Sequence, residues 1–224
     1  MLTPNAPVAA VVFDLDGTLA DTAPDIRQAL NLALADEALG PLDLDTVKTM
    51  IGAGPRVLVQ RALARHRADT GDETVTRVTA GFDRHYEAGG NALSRLFPDA
   101  GLCIDALVDM GIPLGVCSNK PEPFCKQLLR DLGVLDCFGV VRGYGSGLPP
   151  KPDPALLLSA FDTLSASPQD SLYVGDSETD VRTARAAGVR CAVVGHGYTQ
   201  VPAAALGGDE VLGSLADVPA LCRG

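Results

Sequence analysis

The densest grouping of reactive side chains in this sequence is the hexapeptide Phe13-Asp14-Leu15-Asp16-Gly17-Thr18. It follows a short apolar, β-branched run from Val8 to Phe13 that breaks off at Asp14. Residues i and i+2 of a strand point to the same side, so Asp14 and Asp16 face one site if the strand geometry continues. Two neighbouring carboxylates repel, and the pair is stable only with a bound cation or with one member protonated. Both arrangements suit phosphoryl transfer: a metal binds the first carboxylate, and the second carries a proton for the leaving group. Gly17 permits a tight turn that leaves backbone amides free to face a phosphate. Solvated turn aspartates at the end of a strand are the competing reading of the same six residues.

Three more segments carry related chemistry. Cys117-Ser118-Asn119-Lys120 closes an apolar run and precedes a helical pattern. A hydroxyl and backbone amides near a helix start make an anion site, although Ser118 or Asn119 could equally be a simple helix cap. In Pro149-Pro150-Lys151-Pro152-Asp153-Pro154 the prolines hold Lys151 on a fixed path, either beside a phosphate and an aspartate or in an exposed loop. Val174-Gly175-Asp176-Ser177-Glu178-Thr179-Asp180 supplies Asp176 as a ligand for a hard cation, since magnesium prefers oxygen donors. Asp180 fits either a site role or a favourable charge in the first turn of a helix. All four segments fall at, or just after, the carboxyl ends of predicted strands, where open parallel sheets bind ligands.

The elements that must position these residues alternate in the second half of the chain. Cys103, Leu107 and Met110 share a helix face that Gly111 ends, and Ile112–Cys117 reads as a strand. Pro121 can open the next helix, with Phe124, Leu128 and Leu132 on one face before Gly133. Phe138–Val141, Ser171–Gly175 and Val189–Val194 read as strands, with helices over Pro154–Leu164 and Thr179–Ala187. Strands alternating with helices in this way predict an α/β protein with a doubly wound parallel sheet. From about Thr22 to Gly89 the pattern is helical only. Thr22 and Asp25 suggest a capping-box variant before a helix through about Glu37. Further helical runs surround Val57–Leu63 and Glu73–Tyr86. This block interrupts the alternation just after the first strand, so it reads as an inserted domain over 20–90, with 1–19 and 91–224 forming the core.

Composition narrows the partners. The 224 residues, 46% hydrophobic and 21% charged, suit an ordinary globular protein, and a net charge of −10 argues against a nucleic-acid-binding face. A small anionic substrate is still compatible, because a metal and one lysine reverse the field inside a cleft. No apolar stretch is long enough to span a bilayer, and the N-terminus has no basic segment leading into a long apolar one. The six cysteines form no Cys-x-x-Cys pair and the three histidines are dispersed, which points to reduced thiols in the cytoplasm and against zinc.

Asp14-x-Asp16-Gly17-Thr18, then Ser118, Lys151 and Gly175-Asp176-x-x-x-Asp180, resembles the four-motif series of the haloacid dehalogenase superfamily across essentially the whole chain. That resemblance implies a Rossmann-like core with a helical cap. It makes Asp14 the nucleophile that forms an aspartyl-phosphate and Asp16 the general acid and then base. Ser118 and Lys151 would hold the phosphoryl group, with Gly17, Thr18 and Asn119 beside them. A magnesium ion (Mg2+) would be held by Asp14, the Asp16 carbonyl and Asp176. Asp16 favours phosphatases over dehalogenases, which have no phosphate leaving group to protonate. Asp14–Asp21 and the cap segment Ile51–Leu58 look most like phosphoglycolate phosphatases, and Arg56 could face a second anionic group of the substrate. The glycine-rich loop Gly143–Gly147 departs from that subfamily, where more acidic residues are expected. A small phosphorylated metabolite is the expected substrate and a monomer or homodimer the expected assembly. A hexose phosphomutase, a nucleotide or pyrophosphate phosphatase, and a non-catalytic metal-binding protein of the same fold are the alternatives.

Overall fold

The computed structural model describes residues 8–223. The chain begins with β1 (Val11–Phe13), whose successive side chains are buried on opposite faces of a sheet. Val11 and Phe13 enter one hydrophobic cluster and Ala10 and Val12 another, as expected of a strand covered on both sides. After β1 come β2 (Ala20–Asp21), α1 (Ala23–Asp36), α2 (Leu44–Lys48), α3 (Pro55–Arg65) and α4 (Asp72–Gly89). Next are β3 (Arg95–Leu96), α5 (Ala100–Asp109), β4 (Leu114–Pro121), α6 (Glu122–Asp131) and β5 (Val140–Tyr144). The chain continues through α7 (Ala155–Thr163), β6 (Leu172–Gly175), α8 (Glu178–Ala187), β7 (Arg190–Val194), β8 (Glu210–Leu212) and α9 (Val218–Leu221).

Six strands form one parallel sheet in the order β5-β4-β1-β6-β7-β8. Strand order reverses on either side of β1, so a crevice opens beyond its carboxyl end, where Asp14 follows. Ser118 and Asp176 lie on, or one residue past, the strands that flank it. The sheet was legible in the alternation of periods. The two-residue strands β2 and β3 were not, and they pair antiparallel where the chain enters and leaves the helical block.

Helices α1 to α4 bury their apolar faces in a third cluster, which includes Leu30, Leu34, Leu63 and Phe82. Each such side chain contributes about 1.5–3 kcal/mol when fully removed from water. The capping box expected at the start of α1 is absent. Thr22 occupies the N-cap without capping, and its hydroxyl donates to Asp16 Oδ1 instead (2.7 Å). Asp25 turns the other way and accepts from the amides of Leu93 and Ser94 (shortest 2.7 Å) and from the Ser94 hydroxyl (2.6 Å). Both side chains therefore tie the helical block to its neighbours rather than to its own helix end.

Candidate active site

The centre of the crevice is a buried ammonium. Lys151 Nζ donates to Asp14 Oδ1 (2.8 Å), Asp180 Oδ1 (2.7 Å) and the Tyr173 hydroxyl (2.9 Å), which uses all three of its protons. Its backbone is clamped by Asn119, whose Oδ1 accepts from Lys151 N (2.8 Å) and whose Nδ2 donates to Lys151 O (3.0 Å). Asp176 sits on the other side of the hexapeptide turn. Its Oδ1 accepts from the Thr18 hydroxyl (3.2 Å) and its Oδ2 from the Tyr198 amide (2.8 Å). Gly17 has φ +94°, and a Cβ there would stand 2.7 Å from Asp176 Oδ2. Only glycine both makes that turn and lets Asp176 approach.

Carboxylate oxygens of Asp14, Asp176 and Asp180 lie within 4.8 Å of one another, all buried. Burial is the main force raising Asp14 to about 7, with Asp180 and Asp16 adding repulsion and Lys151 opposing it. Burial and the carboxylates of Asp180 and Asp14 push Asp176 well above the usual range. Burial also opposes ionisation of Asp180, but Lys151, Ser177 and Tyr173 outweigh it and hold this carboxyl below its usual range. Lys151 keeps its charge despite burial, because Asp14 and Asp180 stabilise it. One ammonium against three close carboxylates leaves the cluster short of positive charge, which suits a hard divalent cation bound by oxygen ligands.

The sequence profile of the haloacid dehalogenase-like hydrolases matches residues 11–194, a stretch that contains every residue of this cluster. The chain belongs to that family. Within the family it is 43% identical, over 93% of its length and 88% of the relative's, to the phosphoglycolate phosphatase of Rhodospirillum rubrum. It is 37% identical over 94% of its length, and 91% of the relative's, to the phosphoglycolate phosphatase of Yersinia pseudotuberculosis. A crystal structure described as a predicted phosphoglycolate phosphatase from Haemophilus somnus superposes with a TM-score of 0.89 at 29% identity, over 96% of this chain and 98% of that one.

In this haloacid dehalogenase-like hydrolase, Asp14, Asp16, Ser118 and Asn119 line a small cavity of about 40 Å³ under an apolar roof from the helical block, with Lys151 bonded to Asp14. Several residues take different parts from those expected. The Gly17 amide is not free for a ligand, because it donates to Ala20 O (3.0 Å), and the Thr18 amide donates to Leu15 O (3.3 Å). The amides of Leu15 and Asp16, just before them, have no acceptor among the described residues. Thr18 directs its hydroxyl to Asp176 and does not face the small cavity. Asn119 uses its carboxamide to hold Lys151, and also donates to Gly52 O across the α2–α3 turn (3.1 Å). Arg56 pairs with Asp72 and with Thr76 on α4, half-exposed and away from the cavity lining. A guanidinium on the first turn of α3 finds the acidic first turn of α4 within reach, which its place in sequence did not reveal.

Asp180 combines the two readings left open for it. Its Oδ2 closes a capping box with Ser177 at the start of α8, while its Oδ1 takes Lys151 and Tyr173. Gly175 makes this possible, since a Cβ there would meet Asp180 Cβ at 2.4 Å. Lys120, Tyr173 and Tyr198 were missed. Lys120 Nζ donates to Asp16 Oδ1 (3.3 Å) and lies 4.3 Å from the Tyr86 ring centroid. Its only sequence signal was its place after Ser118 and Asn119. Ser118 and Asn119 do not cap α6, because β4 continues through them to Pro121.

Proposed function

We propose that this chain is a magnesium-dependent phosphatase that hydrolyses 2-phosphoglycolate to glycolate and phosphate, with Asp14 as the nucleophile. The observation that carries the reading is Asp14 itself, a buried carboxylate at the switch point of the sheet, bonded to a buried lysine and two residues from a second aspartate. Magnesium would be held by Asp14, the Asp16 carbonyl and Asp176, where it would neutralise charge on the phosphoryl oxygens.

An oxygen of Asp14 attacks phosphorus as the bond to the glycolate oxygen breaks, and Asp16 gives that oxygen its proton. Water then attacks the aspartyl-phosphate and loses its proton to Asp16, and the bond from Asp14 to phosphorus breaks. Asp16 is prepared for both steps: Thr22 and Lys120 hold Oδ1, and Oδ2 has no partner among the described residues. Ser118 and the amides of Leu15 and Asp16 bind the phosphoryl oxygens, and Lys151 holds the phosphoryl group through its charge and its bond to Asp14. Residues 20–90 act as a cap whose apolar side excludes bulk water from the reacting group. The substrate follows from the two phosphoglycolate phosphatases quoted above, and the small apolar pocket offers few polar contacts for a hexose. A cytoplasmic location agrees with six free cysteines among the described residues.

Phosphate release from phosphoglycolate, hexose phosphates, nucleotides and pyrophosphate, with and without magnesium, tests the reading. Magnesium-dependent release led by phosphoglycolate, and abolished in a folded Asp14→Asn variant, is expected. Release led by another ester would overturn the substrate alone. Undiminished turnover in Asp14→Asn would overturn the mechanism.

A further inference from the structure

A second cavity of about 270 Å³ shares Asp16, Ile51 and Gly52 with the small apolar pocket. The core contributes Asp16, Asp176 and Glu178 to its lining, and the helical block contributes two cations, Lys48 at the end of α2 and Arg61 on α3. Among the described residues neither cation is ion-paired with a carboxylate. Both are instead held by neutral groups. Arg61 Nη1 donates to Met50 O (2.9 Å), which fixes the guanidinium, and Lys48 Nζ lies 5.9 Å from the Tyr198 ring centroid. Two positive charges without carboxylate partners, facing a polar cavity that reaches the catalytic aspartate, are placed to take an anion.

Lys120 is the competing cation, but it is already paired with Asp16, covered by Tyr86, and confined to a space of about 40 Å³. We infer that Lys48 and Arg61 form the subsite for the second anionic group of the substrate, a carboxylate joined through one carbon to the ester oxygen. This inference rests on the phosphatase reading. With the phosphoryl group at Asp14, the carboxylate extends past Asp16 into the larger cavity. A phosphomonoester without a carboxylate makes no charge-assisted bond there, so the cavity selects among substrates that the catalytic residues treat alike.

Binding of non-hydrolysable phosphonates in the presence of magnesium tests this without turnover. 3-Phosphonopropionate carries the carboxylate at the same chain length as phosphoglycolate, and propylphosphonate lacks it. Calorimetry on the wild-type protein should show 3-phosphonopropionate binding at least about tenfold more tightly, the lower end for a hydrogen bond to a charged group. The double variant Lys48→Met, Arg61→Gln should lose that preference while its affinity for propylphosphonate stays the same. Lys48→Met alone removes none of the described hydrogen bonds and should lose part of the preference, which separates binding from any folding defect at Arg61. Equal or absent binding of the two phosphonates by wild type, or a preference that survives in the double variant, would overturn the subsite. Failure of the phosphatase reading has a different signature: no phosphate release from any ester, with the phosphonate preference intact.

Discussion

Asp180 shows how much a single carboxylate in this site must do. One oxygen accepts from Lys151 and Tyr173, the other from the Ser177 hydroxyl and the amides of Asp176 and Ser177. An asparagine keeps the shape but removes the charge, and turns an NH2 group toward donors on one side or the other. Breaking a buried pair by removing one partner costs about 3–5 kcal/mol, lessened here because Lys151 keeps Asp14. Asp180→Asn should therefore lower the unfolding free energy by about 2 kcal/mol or more and slow turnover as Lys151 loses one of its anchors. Denaturant unfolding alongside steady-state kinetics checks this, and a variant as stable and active as wild type would contradict it. The sequence allowed two roles for this residue. One side chain reaches both Lys151 and the start of α8, because Gly175 lets the helix start approach closely.

Between elements, the loop after β7 joins the carboxylate cluster to the entrance of the helical block. The Tyr198 amide holds Asp176, while its buried hydroxyl donates to Asp21 (2.7 Å) and accepts from the amides of Thr22 (2.7 Å) and Ala23 (3.0 Å). Tyr198→Phe leaves those two buried amides without an acceptor, at about 1–3 kcal/mol for a buried group left unsatisfied. Amide hydrogen exchange should quicken at Thr22 and Ala23 by about tenfold or more, with β1 and β6 unchanged. Unaltered exchange at the start of α1 would show that Tyr198 does not hold it. Long periodic helices and buried strands were readable because their apolar spacing repeats over several residues. The five-residue α2, the paired β2 and β3, and the edge strand β8 are too short for a period to form.

At the scale of the whole molecule, concentrated carboxylate charge makes stability depend on pH and on cations. Asp14 is raised from 3.8 to about 7 in the folded metal-free protein. Between those values the folded chain holds a proton that the unfolded chain has released, so folding stability falls as pH rises from about 4 to 7. The slope from one such group is at most about 1.4 kcal/mol per pH unit. Thermal melts of the metal-free protein across this range should show a decline that is shallower in Asp14→Asn, where Asp176 still holds a raised carboxyl. Saturating magnesium should flatten the wild-type curve, because the cation stabilises the ionised carboxylates. A metal-free wild type that grows more stable than Asp14→Asn over the same interval would refute the assignment.

Local chemistry and repetition are written into the chain itself. Asp14, Asp16, Ser118, Lys151 and Asp176 follow apolar runs whose length and β-branching specify strands, and alternation with helices specifies a parallel sheet with those residues at one end. What Thr18, Asn119 and Arg56 touch depends on residues far away in sequence, so their partners emerge only when distant segments pack together. Lys120, Tyr173 and Tyr198 belong to no short pattern, and the cavity between Lys48, Arg61 and Asp176 exists only because the helical block rests over the sheet. A motif records which groups stand next to one another along the backbone, whereas hydrogen bonds and cavities depend on separation in space, which folding alone decides.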